Sequence, residues 1–328
     1  MRNAVQVSDL AAAAATLSQP RLSSYRHFFS ANTDAEVFGL YRWNEAVSMH
    51  MFKVLSLTEI AIRNQFHKAL SARYGVAGGP FSKDWYGYLK LGTKSSEAIK
   101  KITHKRRGGN FIPIRPTPTP DDVVSKLTFG FWTHLLDVEF DTFNTPVVWS
   151  TLLPNVVVGH RQRKDTTYWS QQRHQDAIFA RLDFCNNLRN RIAHHEPIWK
   201  AGKLMEERRD RPGAPPIGVV EMAPATIQDA IGRLSLSYDR VLELLGWMSP
   251  SLLNLHKLTE THFQTLKLLS HAGISHFRSL GITQSLHLES YRTLSSFKKR
   301  LRYLSRRGAP VSLHRNFIPM GHWITLPF

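Results

Sequence analysis

The sequence predicts an all-α protein, a helical bundle with a basic C-terminal appendage. Apolar residues recur at three- and four-residue spacing through several long segments, and clusters of Gly and Pro punctuate them. No alternating apolar and polar series is long enough to build a large sheet. At 328 residues, with 42% hydrophobic and 21% charged side chains, the chain has the length and composition to bury a sizeable core.

Residues 1–24 form an N-terminal segment. Its "LAAAAATL" (10–17) resembles the apolar stretch of a signal peptide, but Asp9 precedes it and alanine is only weakly apolar, so a cleaved signal is not expected. Thr33 and Glu36 have capping-box spacing, and the pattern from Asp34 to about Tyr74 predicts one long helix or two in tandem, closed by Gly75. From about 75 to 122 the pattern breaks. "YGVAGGPF" and "GGNFIPIRPTPTPDD" are loop-like and flank the basic run "KKITHKRRGG", which predicts an exposed, positively charged insert.

Asp121 or Asp122 is placed to cap a helix with a seam of Val124, Leu127, Phe131, Leu135 and Val138, which should pack on the first helix. The next helix, Asp176 to His194, carries Ile178, Leu182, Cys185, Leu188 or Arg189, and Ile192, and ends before Pro197. Another begins at Thr226, with Ile227, Ile231, Leu234, Tyr238, Val241 and Leu245 on one face, and stops near "GWMSP". These elements assign residues 25–250 to one helical domain. Helical spacing persists from 251 to 328 in "LLNLHKLTETHFQTLKLL" and "LHLESYRTLSSFKKRLRYLSRR", but eleven Lys and Arg there face only Glu260 and Glu289. This stretch is read as a basic extension.

Charge narrows the partners. The chain holds 43 Lys and Arg against 25 Asp and Glu, a formal net charge of +18 with a pI near 10.2, which favours polyanions, nucleic acid first and anionic membrane second. Lys105, Arg106 and Arg107 in the insert, and Lys298, Lys299, Arg300, Arg302, Arg306 and Arg307 in the tail, are the candidate phosphate contacts. A solvated basic face is the alternative for each cluster, and an anionic surface is a further alternative for the tail. No apolar run reaches the roughly twenty residues of a membrane-spanning helix. Cys185 is the sole cysteine and is expected in the core, so no intramolecular disulfide can form and a reducing cytoplasmic setting is expected. Trp43, Phe129, Phe131 and Trp132 also read as core residues.

The sequence has no HExxH, no paired CxxC, no phosphate-binding Gly-rich loop followed by Lys-Ser/Thr and no GxSxG, so neither a metal nor a cofactor is expected. Chemistry is carried instead by "LRNRIAHHEPIW" (188–199). At 100° per residue Asn187, Asn190 and His194 share a polar sector, while Arg189 falls in the apolar seam. A guanidinium there needs an anionic partner. In "LTEIAIRNQFHKAL", Glu59, Arg63 and His67 form a polar stripe at successive i, i+4 positions, and Glu59 is the expected partner of Arg189; a simple Glu59–Arg63 surface pair is the alternative. His194 also has a plain reading, as a histidine favoured at a helix C-terminus.

Four blocks in order, "FGLYRWNEAVSMHMFKVLSLTEIAIRNQF", "LTFGFWTHLL", "LRNRIAHHEPI" and "WMSP", resemble the Abi-like family of bacterial abortive-infection proteins, within the HEPN superfamily of helical proteins. The resemblance covers about residues 25–250. It implies a metal-independent endoribonuclease in which Arg and His of two protomers meet across a symmetric homodimer. Arg189, Asn190 and His194 match the family motif, and Glu59, Arg63 and Asn64 match its earlier polar block. It further implies a toxin of abortive phage infection or of a toxin–antitoxin pair, restrained by an antitoxin protein or small RNA. Cleavage through the 2′-OH needs a base, an acid and positive charge near the phosphorane, and histidine suits either proton transfer at neutral pH. Asn190 could orient the imidazole or the phosphate, and His195 and Glu196 flank the helix end. A catalytically silent RNA-binding helical module is the alternative reading.

Overall fold

The structure, a computed structural model, describes residues 7–278, 284–306 and 311–323. Helices α1 (Val7–Leu17) and α2 (Gln19–Phe28) lead into α3 (Asp34–Arg73), a single unbroken helix and not a tandem pair. Thr33 caps it, its hydroxyl accepting from the Glu36 N–H at 3.2 Å. At roughly 1.5 Å per residue its forty residues span about 60 Å, and Leu40, Trp43, Val47, Met51, Val54, Leu55, Ile62 and Phe66 along it are buried. It is the strut on which the other long helices pack.

The insert after α3 holds a minimal hairpin, β1 (Gly78–Gly79) with β2 (Ser82–Lys83), helix α4 (Thr93–Thr103) and a second hairpin, β3 (His104–Arg107) with β4 (Asn110–Pro113). It is exposed and basic at β3–β4 as expected, yet Trp85 and Leu89 are buried in the main core. His67 pins the insert down: the Trp85 indole N–H donates to its Nδ1 at 2.8 Å, and its Nε2 lies 3.1 Å from the Ser82 hydroxyl. Because indole can only donate, the bond fixes Nδ1 as acceptor and the ring as neutral. Burial correspondingly lowers the His67 pKa, against the opposing effect of Asp121.

The single helix expected from Asp121 or Asp122 to Val138 is two, α5 (Pro120–Ser125) and α6 (Phe129–Leu135). Thr119 is the cap, and Asp122 is the third residue of its capping box, its carboxylate accepting from the Thr119 N–H. Tight i→i+3 bonds from Lys126 to Val123 and from Leu127 to Val124 end the first helix while keeping Val124, Leu127, Phe131, Leu135 and Val138 on the core side. Beyond α7 (Trp149–Val156) and α8 (Thr166–Ser170), α9 (Gln172–Ala193) and α10 (Ile227–Met248) complete the bundle, the latter capped by Thr226. The α9–α10 connection carries the short pair β5 (Leu204–Met205) and β6 (Val219–Glu221). It is held by Arg181, which reaches Glu207 through two 2.6 Å bonds and Glu243 through a third, over the face of Trp247. Cys185 is fully buried, its thiol pushed up to about 12 by desolvation.

The basic extension expected from 251 onward divides in two. Helices α11 (Pro250–Lys257), α12 (Glu260–Leu268) and α13 (His271–Arg278) join the main body: Leu268, Leu269 and Ile274 lie in its core, and Trp43 Nε1 donates to the Leu268 carbonyl at 2.9 Å. The remainder was expected to be helical, but is a βαββ unit of β7 (Gln284–His287), α14 (Leu294–Arg306), β8 (Val311–Arg315) and β9 (Ile318–Trp323). Its strands run in the order β7-β8-β9, parallel then antiparallel, with a separate small core of Leu286, Leu301, Leu304 and Val311. The molecule is therefore mostly helical, with three strands in the largest sheet among the described residues. No described helix is long and apolar enough to cross a membrane.

Candidate functional site

Two antiparallel helices build the site. Asn44 near the start of α3 accepts at 3.0 Å from the N–H of Ile198, just beyond α9, while Glu59, four turns further along α3, faces Arg189 inside α9. Near the end of α9 the crevice between them opens as a cleft of about 710 Å³, whose walls include Met49, Phe52, Ile192 and His195 but not Glu59, Arg189 or His194.

The end of α9 is tightly specified. Its last helical residue is Ala193, His194 is the cap, and His195 takes the left-handed conformation at φ +55°. The His195 N–H then donates to the Ile192 carbonyl at 3.0 Å and the Glu196 N–H to the Arg191 carbonyl at 2.9 Å, the paired bonds of a Schellman motif. The Arg191 guanidinium holds the following loop through Glu196 at 3.1 Å, the Pro197 carbonyl at 2.8 Å and the Lys200 carbonyl at 3.0 Å. Arg21 of α2 donates to the His195 carbonyl at 2.8 Å, and Trp199 is buried against Tyr25, Phe28 and Phe29. His194 is thus an exposed imidazole on a rigid base, with no hydrogen-bond partner to its ring among the described residues.

Arg189 is half-buried in the seam. One of its terminal nitrogens donates to Asn190 Oδ1 at 3.3 Å, but its Nε is buried with no partner among the described residues. Glu59 lies within electrostatic reach without closing a direct ion pair. Burial raises the Glu59 pKa above the usual carboxylate range, while the charges of Arg189 and Arg63 pull it back. A half-buried guanidinium with an unused N–H and, among the described residues, no direct ion pair has a donor free for a further oxyanion such as phosphate. By helical geometry Arg189 and His194 stand about 140° apart around α9 and about 7.5 Å along it. One copy therefore presents them on different sides of the helix.

The polar stripe expected on α3 does not act as a unit. Glu59 faces Arg189, Arg63 turns to donate to the Ser125 carbonyl at 2.8 Å, Asn64 is exposed, and His67 is buried beneath the insert. The alternative Glu59–Arg63 ion pair is not formed either. Of the matched positions, Arg189 and Asn190 are in contact, Glu59 is within electrostatic reach of Arg189, and His194 lies one turn beyond Asn190. The sequence reading placed Asn187 in the polar sector but missed its partner Asp183, 2.9 Å away on the His194 side of α9, where burial raises the Asp183 pKa against the opposing charge of His134. Their four-residue spacing on the polar sector was the available signal. It also missed Asn44, Arg191 and Trp199, whose roles depend on contacts across the fold.

The basic candidates lie elsewhere. Lys105, Arg106 and Arg107 are exposed on β3, with Arg106 and Lys100 against the Phe111 ring at 5.9 and 4.8 Å. Lys298, Lys299, Arg300 and Arg302 are exposed on α14; the side chain of Arg306 and the whole of Arg307 fall outside the described residues. Among the described residues no group of three His, Cys, Asp or Glu is arranged to hold a metal ion. Comparison with family profiles, with curated proteins and with solved structures finds no match.

Proposed function

We propose that the protein is a metal-independent endoribonuclease of the Abi-like HEPN kind, acting as a homodimer through Arg189 and His194. The observation that carries this reading is the pairing, on one helix, of a half-buried Arg189 with an unpartnered Nε and an exposed His194 on a rigid helix end. The angular separation of the two favours a composite site. Met49, Phe52 and Ile60 leave apolar surface on α3 beside the crevice, suited to burial against a second copy.

In this reading one His194 removes the proton of the 2′-OH, whose oxygen attacks the adjacent phosphorus. The His194 of the partner protonates the departing 5′ oxygen. Arg189 and its mate neutralise the charge that develops on the phosphorane oxygens, and Asn190 holds the Arg189 guanidinium in place. The products are a 2′,3′-cyclic phosphate and a 5′-hydroxyl. Unrestrained cleavage of host RNA would make the protein a toxin, with the restraint supplied by an antitoxin protein or a small RNA.

The test is incubation of wild-type, Arg189→Ala, His194→Ala and Phe52→Asp proteins with a mixed RNA pool in EDTA, with end-group analysis and sedimentation of each protein. Wild type should cut and leave cyclic phosphate. Both site variants should lose at least about 100-fold in rate while remaining dimeric, in line with loss of one proton-transfer or charge-stabilising group. Phe52→Asp should lose dimer and activity together. Full cleavage by a monomer would sink the composite site, and RNA binding without cleavage in every protein would replace the enzyme by a binding module.

A further inference from the structure

We infer that residues 284–306 and 311–323 form a module that grips the phosphate backbone of double-helical RNA along α14. The module has its own core, in which Phe297, Leu301 and Leu304 turn one side of α14 onto the sheet through Leu286, Val311 and Leu313. By helical geometry Ser295, Lys298, Lys299 and Arg302 then lie on the opposite side, within about 100° of arc. With Leu294 and Tyr303 they line an open depression.

The charge on this face is available to a ligand. On the helical body, Arg181, Arg211 and Arg233 are neutralised by Glu207 and Glu243, by Asp176 and by Glu221. Helix α14 has no acidic residue, and Lys298, Lys299 and Arg302 form no ion pair among the described residues. Counterion release by phosphate contacts is the natural use of such a row.

Two features favour a nucleic-acid duplex over a membrane or a single strand. A helix that lies on a membrane needs an apolar face to bury among lipid chains, but the apolar side of α14 is already consumed by the sheet, leaving Leu294 of its first turn exposed. The best case for a membrane is therefore Phe317, Ile318 and Met320 around the β8–β9 turn, not the helix. Single strands are held by aromatic platforms for stacked bases, and the aromatic ring at the edge of this row, Tyr303, is covered by the Arg300 guanidinium at 5.2 Å. A rigid row of cations without a stacking surface suits a backbone of fixed geometry. The inference rests on the nuclease reading only in naming RNA as the duplex.

The experiment is fluorescence anisotropy of a labelled 20-base-pair RNA duplex, its single strand, and phosphatidylserine vesicles, titrated with full-length His194→Ala protein across a salt series. The triple variant Lys298→Gln/Lys299→Gln/Arg302→Gln in the same background is compared, with circular dichroism to confirm that it folds. Duplex binding should exceed single-strand binding. In the triple variant it should weaken at least about tenfold, with the slope of log affinity against log salt flattened by about 2 to 3. Unchanged affinity and slope, preference for the single strand, or loss of vesicle binding alone would each overturn the proposal. Binding is read without cleavage, so a protein that never cuts RNA passes or fails this test independently.

Discussion

His194 and His195 are neighbours in sequence but differ in backbone conformation, His194 capping α9 and His195 taking the left-handed form. The left-handed backbone at His195 costs an L-residue about 1–2 kcal/mol, accepted here because it lets two terminal carbonyls of α9 be satisfied and aims the chain at Trp199. Glycine would remove that strain but adds about 1 kcal/mol of chain entropy to lose on folding. His195→Gly should therefore change stability by between zero and about +1 kcal/mol, read by thermal or urea unfolding. The Arg21 bond survives because it is made to the backbone carbonyl. On the proposed nuclease reading, cleavage should stay within about twofold of wild type, whereas His194→Ala should lower it at least about 100-fold. A large loss of activity in a stable His195→Gly protein would transfer the proton-transfer role to His195. The sequence matched His194 to the motif and left His195 as a flanking residue, and only the backbone dihedral separates the cap His194 from the left-handed His195, both of them exposed.

Among the elements, the crossing of α13 over α3 depends on Gly39. A methyl group there would overlap the Phe277 carbonyl oxygen, so the helix backbones approach at a distance no side chain permits. Glycine inside a helix costs about 1 kcal/mol in propensity relative to alanine. Gly39→Ala should nevertheless destabilise the protein, by about 1–3 kcal/mol, because relieving the overlap must shift α13 and disturb Trp43 against Leu268. A more stable Gly39→Ala protein on chemical denaturation would show that α13 is loosely docked. This contact also explains what the sequence could and could not yield. The periodicity of α3, α9 and α10 and the cap at Thr226 are local signals, and these helices were legible to within a few residues. That α11 to α13 belong to the main core was not, because a helical repeat shows that a face is buried and not what covers it. The break between α5 and α6 was hidden for a related reason: its i→i+3 turns preserve the seam, and Asp122 fits a capping box as third residue as well as it fits a cap. The βαββ strands are four to six residues long and interrupted by His, Ser, Pro and Gly, which leaves no clean alternation to read.

At the scale of the whole molecule, the two cores are very unequal. The body buries dozens of side chains around α3, whereas the unit of 284–306 and 311–323 rests on four buried residues with Tyr291, Phe297 and Leu313 at their edge. A core that small leaves little stability in reserve. Removing Leu304, one of the four, should cost about 2–5 kcal/mol, more than such a module has to spare. Leu304→Ala is therefore expected to unfold 284–323 while the melting of the body stays within about 2 °C of wild type. Hydrogen exchange resolved by peptide reads both events: amides of α14 and β8 should lose protection, and those of α3 and α10 should keep it. Loss of protection in both regions together would mean that the two cores fold as one unit. The same measurement connects stability to ligand binding, since anything that binds only the folded module stabilises it by about 2.7 kcal/mol at a hundred times its dissociation constant. Duplex RNA bound along α14 should then slow exchange in 284–323 of the His194→Ala protein and leave α10 unaffected, tying the marginal core to the basic face it supports.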